Sequence, residues 1–294
     1  MKIKNSAFQK IALTLAVSLG AIAASLPAQA GTLINGWNYA RDDYSYDGTD
    51  GGNLSSTSRY DIYGIGVKQV NNEIWVGINT SMPLTGISNS RAADRNIGWG
   101  DLFLDFTGGN SFASAQGSLL GIRFADTNDS SATTTGVYAG VTGKSVTSIN
   151  NGYPSLNEYA KSVTGAKIGD LGLALNNPYY GAYASANVPN EIGTYSSRIG
   201  DVTALLASQL NDLPGLNLAG NNANKFGFKF TAPTGYSSNF LGSLFLECIN
   251  DSVAIQGNIR AVPVPPAIAG ILAAGAFGGW RAARRKKQQK AASV

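Results

Sequence analysis

Apolar and polar residues alternate along most of this chain between short clusters of glycine, asparagine and serine, and period-two alternation bounded by turn residues predicts β-strands. The clearest case is residues 59–70 followed, after Asn71-Asn72, by residues 73–79. Two alternating runs around a two-residue asparagine turn predict a hairpin, with Ile74, Val76 and Ile78 on one face and Trp75 on the other. Strands are also expected over 101–106, 119–124, 136–149, 225–231, 244–248 and 253–259. In 225–231 the strict alternation puts Phe226, Phe228 and Phe230 on one core-facing side. Residues 201–210 depart from the pattern: Val202, Leu205, Leu206 and Leu210 recur at helical spacing behind Asp201, a suitable cap, and one short helix is expected there.

No proline- or serine-rich linker divides the middle of the chain, so residues 31–261 are expected to form one all-β domain, a two-sheet β-sandwich of jelly-roll-like kind carrying that helix. The stretch 152–189 has weak periodicity and reads as a long excursion. Its Tyr153, Tyr159, Tyr179, Tyr180 and Tyr183 are expected to pack it onto the sandwich rather than to line a surface patch.

The two ends follow a different logic. Residues 1–30 run from basic (Lys2, Lys4, Lys10) through an apolar stretch, 11–26, to Ala28-Gln29-Ala30. That order predicts a signal-peptide helix cut between Ala30 and Gly31. Residues 262–294 begin with Val262, Pro263, Val264, Pro265 and Pro266, continue without a charge from 267 to 280, and end in Arg281, Arg284, Arg285, Lys286, Lys287 and Lys290. The apolar run is 14 residues, or 19 counted from Val262, just short of the ~20 that span a bilayer comfortably. A marginal, transient transmembrane helix is expected, its basic end held on the cytoplasmic side and its proline motif at the outer face. An ordinary tail anchor of the same orientation is the alternative.

Setting the ends aside reverses the charge. The whole chain carries +4, but residues 31–261 hold 13 lysines and arginines against all 18 aspartates and glutamates, a net −5. A nucleic-acid partner therefore loses its electrostatic support. The chain has no histidine, which removes most nucleophile–base pairs, proton shuttles and transition-metal sites. Its single cysteine, Cys248, excludes an intramolecular disulfide and, lying in an apolar run, reads as a buried structural thiol.

The most polar stretch is the loop 42–53, where Asp43, Asp47, Asp50 and Asn53 follow Asp42 among Gly48, Gly51 and Gly52. Hard oxygen donors on a pliable glycine loop are what calcium requires, although the spacing is not that of an EF-hand. A solvated acidic turn is the alternative. Residues 126–129, with Asp126, Asn128 and Asp129, are a weaker candidate of the same kind. Asp101 and Asp105 stand near Trp99 as a carboxylate pair, but four strand steps would set them roughly 13 Å apart. Glycosidase pairs sit about 5–9.5 Å apart, so no catalytic residue is assigned.

The proline motif, short Gly/Ala-rich apolar run and arginine-rich end, placed last in the chain, resemble the PEP-CTERM sorting tail of exosortase substrates, here in a VPxPP form without the glutamate of Pro-Glu-Pro. Gly36-Trp37-Asn38-Tyr39-Ala40, Asp47-Gly48 with Gly51-Gly52, and the segments 81–86, 96–103 and 134–138 resemble cyanobacterial XDD-type exosortase-dependent surface proteins. Glu247-Cys248-Ile249-Asn250-Asp251 is similar to the Glu-Cys-Gly-Asn-Asp element of such ectodomains, with Ile249 in place of the glycine. The resemblance implies export through the Sec translocon, removal of the tail by exosortase, and a non-catalytic structural or adhesive role at the cell surface or in extracellular polysaccharide. A calcium-assisted carbohydrate-binding module and a secreted glycoside hydrolase stay open as alternatives.

Overall fold

The computed structural model describes residues 32–42, 47–50, 53–54, 58–108, 111–163, 165–172, 177–214, 224–236 and 238–260. The cleavage site at Ala28, Ala30 and Gly31, the motif from Val262 to Pro266 and the basic residues after it all lie outside the described residues.

Strand pairing is antiparallel throughout, and it begins where Asn35 and Gly36, both at positive φ (51° and 81°), turn β1 (Thr32–Ile34) back into β2 (Trp37–Arg41). A two-stranded ribbon follows, β3 (Thr49–Asp50) with β4 (Asn53–Leu54). The expected hairpin is β5 (Ile62–Val70) and β6 (Glu73–Thr80), closed by Asn71 at φ 54°. Asparagine tolerates that left-handed backbone better than other side chains do. A second ribbon, β7 (Ile87–Ser88) with β8 (Asn96–Ile97), precedes the meander β9 (Leu102–Asp105), β10 (Leu119–Arg123) and β11 (Gly136–Lys144). The one α-helix among the described residues, α1 (Leu156–Ser162), lies in the excursion. Short strands β12 (Glu191–Thr194), β13 (Ser197–Gly200) and β14 (Thr203–Ala204) come next. The long strands β15 (Asn224–Thr231), β16 (Asn239–Phe245) and β17 (Ser252–Asn258) complete the order.

These strands form two large sheets in a β-sandwich-like arrangement. One has the order β1-β2-β5-β6-β15-β14 and the other β12-β11-β10-β9-β16-β17, with β13 also paired to β11. The principal core lies between them, where Ile65, Ile74, Val76, Ile78, Phe228 and Phe230 of the first sheet meet Leu102, Leu104, Ile122, Leu244, Val253 and Ile255 of the second. The expected faces are therefore the observed ones: Ile74, Val76 and Ile78 point inward, while Trp75 joins a different cluster on the outside.

The outer face of the second sheet is covered as well. Phe103, Leu119, Tyr138, Phe245 and Ala254 pack against Phe112, against Leu156, Tyr159 and Val163 of the helical segment, and against Tyr179 and Tyr180. The tyrosines of the excursion thus hold it onto the sheet, as expected, with Tyr153 and Tyr183 partly buried at its margin. Buried on both sides, β9 and β10 present no exposed residue.

The helix expected over 201–210 is not formed. Thr203 and Ala204 instead pair with Lys229 and Phe228 at the edge of the first sheet, and a 3-10 turn occupies Ala207–Leu210. Leu205, Leu210 and Leu213 settle on Trp37 and Tyr39, while Leu206 points to solvent at 68% exposure. Edge pairing satisfied the backbone groups that a helix would have used, and tertiary packing overrode the periodicity. The actual helix had its own local signal in Ser155-x-x-Glu158: the Ser155 hydroxyl accepts from the Glu158 N–H at 3.3 Å. Among the described residues no helix is long and apolar enough to cross a membrane.

Candidate metal centre

At one end of the sandwich three loops bring four aspartates into the interior. Asp42 lies just past β2, Asp47 just before β3, Asp61 just before β5 and Asp251 just before β17. Their exposures are 2%, 2%, 2% and 0%. One carboxylate oxygen each from Asp42, Asp47 and Asp251 lies within 4.8 Å of the others.

Main-chain donors from neighbouring elements hold this group in place. The Gly169 N–H donates to Asp42 Oδ1 at 2.8 Å, the Lys167 N–H to Asp47 Oδ2 at 2.9 Å, and the Ile62 and Ser252 N–H groups to Asp251 at 2.6 and 2.7 Å. The Tyr159 hydroxyl lies 3.2 Å from both Asp251 Oδ1 and the Asp47 carbonyl. Gly48 lets the loop lie flat on β5: a Cβ there would stand 2.5 Å from the Tyr60 carbonyl oxygen.

Asp251 is presented by a turn with an unusual backbone. Ile249 sits at φ 51° with its side chain fully buried. A β-branched residue is rare in that left-handed region. The burial of Ile249 among Phe245 and Ala254 is what offsets the strain. Asn250 beside it ties the turn to β3, its Nδ2 donating to the Thr49 carbonyl at 2.8 Å while the Thr49 N–H donates to the Asn250 carbonyl at 3.1 Å.

The electrostatics of this nest are one-sided. Burial, reinforced by Asp47, Asp251 and Asp61, pushes the Asp42 carboxyl well above the usual carboxylate range. Burial likewise raises Asp251, helped by Asp47 and Asp61. Two like charges about 4–5 Å apart repel by roughly 3–4 kcal/mol at an effective dielectric of about 20. The arrangement is therefore satisfied by protons or by a cation.

Of the residues expected to hold calcium, the structure brings Asp47 into this nest and sends Asp50 elsewhere, into an ion pair with Arg59 at 2.8 Å on the surface. Asp43 lies outside the described residues; Asn53 pairs through its backbone in β4, and its side chain is outside the description. Asp42 was within the sequence's acidic loop, whereas Asp61 and Asp251 are 11 and 201 residues beyond Asp50 and carry no spacing signal that links them to it.

A second buried acidic group lies elsewhere in the second sheet. Glu191 and Glu247, 0% and 1% exposed, face one another. Glu247 accepts from the Gly98 N–H and, at 2.8 Å, from the Asp129 N–H. Glu191 oxygens accept no hydrogen bond, so a proton carried by Glu191 is what joins the two carboxyls. Burial, then the neighbouring carboxyl, raises Glu191; burial raises Glu247 too.

The remaining candidates serve the fold. Asp101 accepts from Asn128, Ser130 and the Ile192 N–H, and Asp105 from Tyr179 and Thr107. Asn128 also accepts from Arg123 at 2.8 Å, and Asp129 accepts from Asn150 at 2.8 Å. Cys248 is a fully buried free thiol, its ionisation suppressed by burial. Neither a family model, nor a curated protein, nor a solved structure matches this chain.

Proposed function

We propose that this is an exported, non-catalytic surface protein whose tail is recognised and removed by exosortase, leaving the β-domain to act structurally or adhesively in extracellular polysaccharide. The observation that carries this reading is the order of segments after residue 261: proline motif, uncharged run of 14 residues, basic end. That order fits a helix that stalls in the bilayer with its positive end inside and its proline motif within reach of a membrane protease. An N-terminal leader of the secretory pattern supports the same route.

The non-catalytic part of the reading is supported by how the interior carboxylates are used. Asp101 and Asp105 are both buried and both occupied by hydrogen bonds that hold loops to the second sheet. For the carbohydrate-binding alternative, the tyrosines of 152–189 offer no stacking platform in the interior positions taken by Tyr159, Tyr179 and Tyr180.

Intact-mass measurement of the protein recovered from the cell surface tests the proposal. A mass lacking both ends, and retention of the tail in a host without exosortase, are the expected results. A surface form that still contains Trp280 and the basic cluster would make the tail an anchor instead.

A further inference from the structure

Asp42, Asp47 and Asp251 meet where the chain enters or leaves three different strands. Each has at least one oxygen fixed by a main-chain N–H, from Gly169, Lys167 or Ile62, so the carboxylates cannot swing out to solvent. Asp42 distinguishes this group from an ordinary acidic cluster. It is 2% exposed and its Oδ2 accepts no hydrogen bond. A buried carboxylate oxygen in that condition is costly unless a proton or a cation meets it. The largest charge influences on Asp42 come from Asp47, Asp251 and Asp61, all acidic.

We infer that Asp42, Asp47 and Asp251 bind a calcium ion that fastens the first sheet to the turn between β16 and β17. The donors are carboxylate oxygens, with no histidine in the chain and Cys248 outside the group, which suits a hard cation and not zinc. Their oxygens all lie within 4.8 Å of one another, inside the span of up to about 5.2 Å that ligands on one calcium can have, given bonds of about 2.3–2.6 Å. Magnesium usually keeps several waters, which a closed nest accommodates poorly. Tyr159 positions the site without ligating: its hydroxyl holds Asp251 Oδ1 and the Asp47 carbonyl in register. The site stands or falls independently of how the tail is processed.

The experiment uses the purified full chain, stripped of metal by chelation and titrated with calcium chloride in a scanning calorimeter. The thermal midpoint rises by about 3–6 °C with calcium at tenfold its Kd, from mass action on the folded state. Asp42→Asn abolishes most of that rise. Terbium, a calcium mimic, gives tyrosine-sensitised luminescence in the unsubstituted chain that added calcium displaces, and this reading holds even if the variant fails to fold. The inference is overturned if calcium leaves the midpoint unmoved and terbium shows no displaceable emission. It is equally overturned if Asp42→Asn raises the midpoint in calcium, because relief of like-charge repulsion marks a nest held by protons. A rise with magnesium equal to that with calcium overturns the assignment to calcium.

Discussion

The Tyr159 hydroxyl donates to Asp251 Oδ1 at 3.2 Å, a contact between residues 92 apart in sequence that joins α1 to the turn before β17. Both residues are fully buried. This hydrogen bond ties the helix of the excursion to the acidic nest, so their stabilities are expected to be coupled.

Tyr159→Phe should test that coupling. The substitution keeps the ring in its cluster with Leu156 and Val163 but leaves Asp251 Oδ1 and the Asp47 carbonyl one donor short. Unmet buried acceptors cost about 1–3 kcal/mol, which for a domain of this size lowers the thermal midpoint by roughly 2–10 °C. Calorimetry checks this, and an unchanged midpoint would show that the hydroxyl contributes nothing.

The glutamate pair should make stability depend on pH with a definite sign. Both groups are raised above their ordinary 4.5 in the folded state. The unfolded chain therefore releases its protons first, and the stability from these groups, complete below about pH 4.5, is lost progressively as pH rises. Glu191→Gln should flatten that fall, because the amide donates to Glu247 at every pH. Glu247→Gln should destabilise, since one amide oxygen cannot serve both the Gly98 and Asp129 N–H groups. Denaturant midpoints measured between pH 5 and 9 distinguish the two.

Gly48→Ala should act on the nest through the backbone. The new methyl would collide with the Tyr60 carbonyl and the Asp61 Cα, neither of which is the end of a flexible side chain. Overpacking of this kind costs about 1–3 kcal/mol. The displaced loop carries Asp47 with it, so the calcium-dependent part of the thermal midpoint should shrink together with total stability.

Ile249→Gly sets two terms against each other. It relieves a left-handed β-branched residue, worth about 1–2 kcal/mol, and removes a fully buried side chain whose loss costs about 2–5 kcal/mol. The net expectation is destabilisation by roughly 1–3 kcal/mol. A variant more stable than the original would show that the turn, rather than its packing, is the limiting feature.

Neutralising Arg284, Arg285, Lys286 and Lys287 together should impair delivery to the surface, because in the proposed route their charge holds the tail's end inside. Fractionation of cells expressing the variant measures this. Unchanged delivery would make the basic end dispensable to sorting.

Alternation along single segments determined the β class, the hairpin at Asn71-Asn72 and the inward faces of β6 and β15, because side-chain direction in a strand follows from local backbone geometry alone. The solitary cysteine and its apolar neighbours likewise announced a buried thiol. Local spacing misled at 201–210, where a sheet edge competed for the same backbone groups, and the capping pattern at Ser155 marked the helix that formed instead. The acidic loop was legible as a cluster of oxygen donors, yet its composition could not say which of them turn inward. Only the tertiary structure sent Asp50 to Arg59 and brought Asp251 from the far end of the domain to Asp42 and Asp47. Such a group depends on pairing between strands distant in sequence, and no period along the chain encodes the distance between residues on different strands.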